Sequence, residues 1–153
     1  MTAEERVAEL GLDLTAAPAP LANYVTAVRS GNQVFISGQL PVLPDGSRMR
    51  GKVGVDLTVE EGYQAARLSA VALLARLRQA VGSLDKVVRI VKLNGYVNAP
   101  ADFEQQPAVI NGASDLLVEV FVEAGRHARA AVGVASLPLN APVEVEMIVE
   151  VEG

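Results

Sequence analysis

Nine residues near the C-terminus, Val143 to Val151, alternate without a break. Val143, Val145, Met147, Val149 and Val151 fall on one side, and Glu144, Glu146, Ile148 and Glu150 on the other. Only a β-strand, with its period of two, turns that pattern into one greasy and one acidic face. The chain must therefore build a sheet that buries one side against another layer. Acids at alternate strand positions form a ladder and not a converging cage, so a hard cation is not what they are arranged to hold.

The covering layer is also legible. Thr58-Val59-Glu60-Glu61 is a capping box, and it opens the longest helix, which runs to about Val81 with Gly82 as its stop. Leu68, Val71, Leu74 and Leu77 supply its apolar residues, with Arg67, Arg76 and Arg78 set elsewhere, so it should lie across the sheet. A second box, Thr2-Ala3-Glu4-Glu5, starts a short helix through Val7 and Leu10 to Gly11. The Pro- and Ala-rich stretch from Ala16 to Pro20 is a connector. Strands are expected from Tyr24 to Arg29 and from Gln33 to Ser37, joined in a hairpin by Ser30-Gly31-Asn32. After the turn at Pro44-Asp45-Gly46, Arg48 to Val53 reads as a short strand. Val87 to Val97 is a further strand, in which Asn94-Gly95 signals a bulge or a close backbone approach. A helix from about Ala113 to Ala124 ends at Gly125, a strand covers Ala130 to Ala135, and Leu137 to Pro142 connects to the last strand.

The order β-β-α-β-α-β-β describes an α+β fold, one domain over residues 1–153 in which 1–20 form the N-terminal helix and connector. Two helices can cover only one face of the sheet, so the other is solvated or packed against another subunit. Half of the residues are apolar and the mean hydropathy is +0.29, which favours the second outcome.

Several chemistries are excluded at this level. With no cysteine there is no disulfide framework, thiolate nucleophile or sulfur-bound metal, and a cytoplasmic home is the expectation. The N-terminus is acidic where a signal peptide is basic, and no run is long enough to span a membrane. A net charge of −5 opposes phosphate attraction, so nucleic acid is a disfavoured partner. Gly46 to Val53 has the GxxxxGK spacing, but Val53 replaces the hydroxyl that would hold Mg²⁺, and the next helix cap waits until Thr58. His127 is the only histidine, which removes His-pair metal motifs, and it reads as a structural or rim residue.

The informative segment is Arg126-His127-Ala128-Arg129-Ala130-Ala131-Val132, followed by Leu137-Pro138 and Val143-Glu144-Val145-Glu146. An arginine in an apolar strand needs an anion, because a desolvated guanidinium without a partner is costly. Either Arg129 pairs with Glu144 or Glu146, in its own sheet or across an interface, or it holds a substrate carboxylate while Glu144 handles a water or proton.

These residues, with Asn23-Tyr24-Val25 and Gly31-Asn32 leading to Ser37-Gly38-Gln39-Leu40-Pro41, resemble the Rid/YjgF family from about residue 22 to the C-terminus. The extra N-terminal helix and Val109 to Asp115 look like its longer, endoribonuclease-like subgroup. The resemblance implies a chorismate-mutase-like fold of the bacillary type, a mixed sheet with two helices on one face, and a homotrimer whose sheets form a central barrel with sites between subunits. It implies hydrolysis of reactive 2-enamine and 2-imine acids to 2-oxo acids and ammonia, with no cofactor and no metal. Carried over, Arg129 grips the substrate carboxylate and Glu144 positions water. Tyr24, Ser37, Gly38, Asn111 and the backbone of Ala131 line the pocket. Ala131 stands where the archetypes carry cysteine, so any contribution of a thiol is absent. The alternative is a non-catalytic trimeric binding module for 2-oxo acids or similar carboxylates, and RNA cleavage is a third reading, which the acidic charge opposes.

Overall fold

The computed structural model describes residues 1–15 and 23–153, so the connector expected from Ala16 to Pro20 lies outside the described residues. Helix α1 is Ala3–Glu9, followed by strands β1 (Ala27–Ser30) and β2 (Gln33–Gln39), helix α2 (Val59–Val81) and strand β3 (Val87–Asn98). Helix α3 (Gln106–Phe121), β4 (Ala128–Val134) and β5 (Val143–Val151) complete it, with 3-10 turns at Leu84–Lys86, Val122–Gly125 and Pro138–Asn140. The five strands form one mixed sheet in the order β1-β2-β5-β3-β4, in which only β3 and β4 are parallel.

Both capping boxes form. At α2, Thr58 Oγ1 accepts from the Glu61 amide at 3.1 Å and Glu61 Oε1 accepts from the Thr58 amide at 3.0 Å, while Gly82 closes the helix at φ 91°. At α1, Thr2 and Glu5 repeat the exchange, and Gly11 sits at φ 68° beyond the Leu10 cap. Helix α1 is tied down by charge: Glu4 receives Arg78 Nη2 at 2.8 Å and the Leu84 amide at 2.9 Å.

The alternating residues of β5 behave as their spacing requires. Val143, Val145, Met147, Val149 and Val151 are buried with Val34, Ile36, Ile90, Leu93 and Val97 beneath Leu73, Leu74 and Leu77 of α2 and Ile110, Leu116 and Leu117 of α3. Each fully buried large aliphatic contributes about 1.5–3 kcal/mol, so this single interface holds the layers together. Among the described residues, no helix covers the opposite face of the sheet. On it, Val28 faces Phe35 and Phe35 faces Ile148, and Val28 and Phe35 are exposed.

Several expectations need correction. Helix α3 begins at Gln106, about two turns before Ala113, because Pro107 fits the first helical turn and Gly112 lies inside the helix. A Cβ on Gly112 would stand 2.0 Å from the Tyr63 carbonyl oxygen, so glycine lets α2 and α3 cross backbone to backbone. Arg48–Val53 is not a strand; only isolated bridges at Val42/Arg48 and Val53/Leu57 touch this loop. Strand β1 starts at Ala27, leaving Tyr24 in a bend, and β4 runs from Ala128 to Val134. Arg76 is not set away from the core: it is 7% exposed, with Nε 3.4 Å from Gln39 Oε1. At Asn94-Gly95 the register is continuous, so there is a close approach and no bulge: a Gly95 Cβ would lie 2.6 Å from Ile110 Cδ1.

Candidate functional site

Strand β4 lies at the sheet edge, and its parallel register sets Arg129 beside Leu93 and Ala131 beside Gly95. Directly paired residues share a face, and Leu93 is fully buried under the helices. Arg129 therefore extends toward α3, half-buried, where Nη1 donates to Asn111 Oδ1 at 2.8 Å and to Ser114 Oγ at 3.1 Å, and Nη2 reaches the Pro107 carbonyl at 3.4 Å. All three acceptors are neutral. Three other arginines differ: Arg67, Arg78 and Arg126 form ion pairs with Glu119, Glu4 and Glu123.

Ser114 belongs to a longer chain of contacts. His127 Nε2 lies 2.9 Å from Ser114 Oγ, and His127 Nδ1 lies 2.6 Å from the Gly125 carbonyl oxygen. Burial, with the nearby Arg129 charge, holds the imidazole below its ordinary range, although the bond to Gly125 pulls the other way.

Glu144 is on the other side of the sheet. It pairs with Tyr96 on β3, and its carboxyl lies over the α-carbon of Gly38, where an added Cβ would be 2.9 Å from Cδ. It accepts no hydrogen bond from the described residues, and burial, then the neighbouring Glu146, raises its pKa. Glu146 is satisfied differently: Tyr96 Oη donates to it at 2.7 Å and Asn94 Nδ2 at 3.3 Å, which pushes the tyrosine up to about 12. Two adjacent acids are thereby made unlike, one clamped and one open to act on protons.

Ser37 is fixed by donating Oγ to the Val25 carbonyl at 2.9 Å. It lines, with Val28, Phe35, Asn94, Glu146 and Ile148, a depression of about 300 Å³ on the bare face. Tyr24, exposed, stands one residue before Val25.

The sequence-predicted residues thus fall into two half-sites. Arg129, Asn111 and Ala131 lie on the helix side of the β4 edge, and Glu144 with Gly38 on the bare face. Arg129 does not pair with Glu144 or Glu146 of its own sheet, because β3 runs between β4 and β5 and the faces are opposite. Sequence reasoning missed Ser114 and its contact with His127. The only signal was Asn111 and Ser114 at i, i+3 on one helix face, hidden while the helix was started at Ala113.

Residues 4–151 match the family model described as "YjgF/chorismate mutase-like, putative endoribonuclease". The Trypanosoma cruzi protein TCP17 is 52% identical over 92% of this chain and 89% of its own. A 2-iminobutanoate/2-iminopropanoate deaminase of Dermatophagoides farinae is 35% identical over 89% of this chain and 91% of its own. The crystal structure of Atu1372 from Agrobacterium tumefaciens, a protein of unknown function, superposes with a TM-score of 0.90 at 48% identity, covering 98% of this chain and 92% of that one. Fold, motifs and relatives agree, and the chain belongs to the Rid/YjgF family.

Proposed function

We propose that the protein hydrolyses reactive 2-imino and 2-enamino acids to 2-oxo acids and ammonia, at sites shared between subunits of a homotrimer. The observation that carries this reading is Arg129: a half-buried guanidinium held by neutral acceptors, with no carboxylate among the described residues upon it. A bidentate carboxylate is the ligand such a fork is built for. The bare sheet face and the opposed placement of Arg129 and Glu144 favour a second copy as the source of the facing acid.

In this reading the imine is already electrophilic. Arg129 fixes its carboxylate, and Glu144 of the adjoining subunit takes a proton from water as the oxygen adds to the C=N carbon. The same carboxyl then returns the proton to nitrogen, giving the carbinolamine; transfer of the hydroxyl proton to that nitrogen through the carboxyl lets the C=O bond form as the C–N bond breaks and ammonia leaves. A raised Glu144 pKa suits both steps. The D. farinae relative, named for this activity, supports the substrate class.

The test is release of ammonia and 2-oxo acid from imines generated in place by an amino-acid oxidase. Acceleration by the wild type, lost in Arg129→Ala and in Glu144→Gln, is expected. Mixing the two inactive variants should then restore about a quarter of wild-type activity, since one shared site in four combines intact partners. Retained 2-oxo acid binding without turnover in the wild type would identify a binding module instead.

A further inference from the structure

We propose that His127 and Ser114 are positioning residues, a directed hydrogen-bond relay that holds the Arg129 fork in its carboxylate-binding pose. The inference rests on the reading of Arg129 as the carboxylate anchor.

The direction of every hydrogen in the relay is forced. A carbonyl oxygen only accepts, so at 2.6 Å from Gly125 O the His127 Nδ1 carries the proton. In the neutral ring Nε2 is then an acceptor, and Ser114 Oγ, 2.9 Å away, donates its single hydrogen to it. That leaves the serine's lone pairs for Arg129 Nη1 at 3.1 Å, and arginine has nothing but donors. Asn111 Oδ1 takes the same nitrogen at 2.8 Å from one turn earlier on α3. Nη1 is thus held by two acceptors on one helix face, while Nη2 has only the 3.4 Å contact to Pro107 O. One side of the guanidinium is fixed and the other left for a ligand.

The far end of the relay is rigid. Gly125 is buried, and a Cβ there would lie 2.2 Å from the Leu117 carbonyl oxygen, so its backbone rests directly on that of α3. The relay therefore ties β4 to both the face and the end of one helix. Holding a long side chain in its bound pose lowers the ordering cost of binding. Because such a grip serves ground and transition states alike, its loss should appear in KM and leave kcat nearly unchanged.

The chain has a single histidine, so one imidazole reports on the relay without assignment. In ¹⁵N-histidine-labelled protein at neutral pH, NMR should find the Nδ1–H tautomer, with the Nε2 resonance moving in Ser114→Ala as its donor is lost. The Arg129 Nε–H order parameter should fall in Ser114→Ala and in His127→Phe. Kinetically, both variants should raise KM for the imino acid about tenfold with kcat within about threefold, and His127→Gln, whose amide oxygen can accept from Ser114, should recover much of the loss. An Nε2–H tautomer, or an unchanged Arg129 order parameter in both variants, would overturn the relay. If the wild type hydrolyses no imine, the proposed function fails, yet the NMR measurements still decide the relay. Normal KM in both variants of an active enzyme would refute the positioning role.

Discussion

Replacing Gly38 by alanine separates the placement of Glu144 from the stability of the fold. Gly38 does not occupy the left-handed region, so alanine takes its backbone conformation without strain. The new Cβ would lie 2.9 Å from Glu144 Cδ and 3.0 Å from its Cγ and Oε2. Carbon pairs settle near 3.5–4.0 Å, so the carboxyl must retreat by roughly 0.6–1 Å. That carboxyl is the end of a flexible side chain with no hydrogen bond to the described residues, so the retreat is cheap. The gain of about 0.4–1 kcal/mol from restricting the unfolded chain offsets much of its cost. A midpoint within about 4 °C of wild type is expected by thermal unfolding. Activity should respond far more, because displacing a reacting group by about 1 Å costs on the order of 100-fold. The paired assay is kcat/KM for imine hydrolysis beside the melting curve. Wild-type kcat/KM in Gly38→Ala would refute the role given to the Glu144 carboxyl, and a collapse of the melting temperature would refute the claim that its surroundings can yield.

Gly112→Ala should do the opposite, since its Cβ would meet the Tyr63 carbonyl at 2.0 Å and backbone cannot yield as a side chain does; a loss of more than about 4 kcal/mol in urea unfolding is expected, and a stable variant would contradict the close crossing. Ser69 is fully buried with its hydroxyl unpartnered among the described residues, so Ser69→Ala should stabilise by about 1 kcal/mol, and a destabilised variant would reveal a partner for that hydroxyl. His127 is held below 6.5 by burial and by Arg129, so the unfolded chain binds its proton more readily than the folded one. Its contribution to stability is complete above the ordinary value of 6.5 that the unfolded chain keeps, and is lost below it as pH falls through the lower folded value. The stability difference between wild type and His127→Gln should therefore shrink from pH 7.5 to about pH 5.5, and a constant difference would contradict the assignment.

What could be read in advance follows from how local each signal is. Helix α2 and strand β5 were legible to within a residue, because a capping box, a terminal glycine and strict alternation are written in adjacent positions. The start of α3 was not, because Pro107 and Gly112 punctuate loops far more often than they sit in helices, and only the neighbouring helix explains the glycine. The burial of Arg76 is likewise a property of what lies against it, near Gln39 of β2. Within the candidate site, Asn111 and Arg129 were each singled out, whereas their hydrogen bond and the side of the sheet each residue faces were not. Arg129 and Glu144 lie 15 positions apart on successive strands, yet β3, which precedes both in sequence, is threaded between them. That insertion is a matter of topology, invisible to any window of sequence.

Strand β4 has one neighbour among the described strands, so its outer row of amides and carbonyls is left without a partner in the sheet. Over Ala128–Val134 it bears a single charge, Arg129, and no proline. Natural edges are usually blunted by lysine, proline or a bulge, and this one has none of them. The consequence is one of proteostasis: a chain that cannot cover this margin presents a template for self-pairing. Variants weakened here will register as insoluble protein before any loss of function can be measured, and an expression screen that discards the pellet will undercount the residues on which function depends.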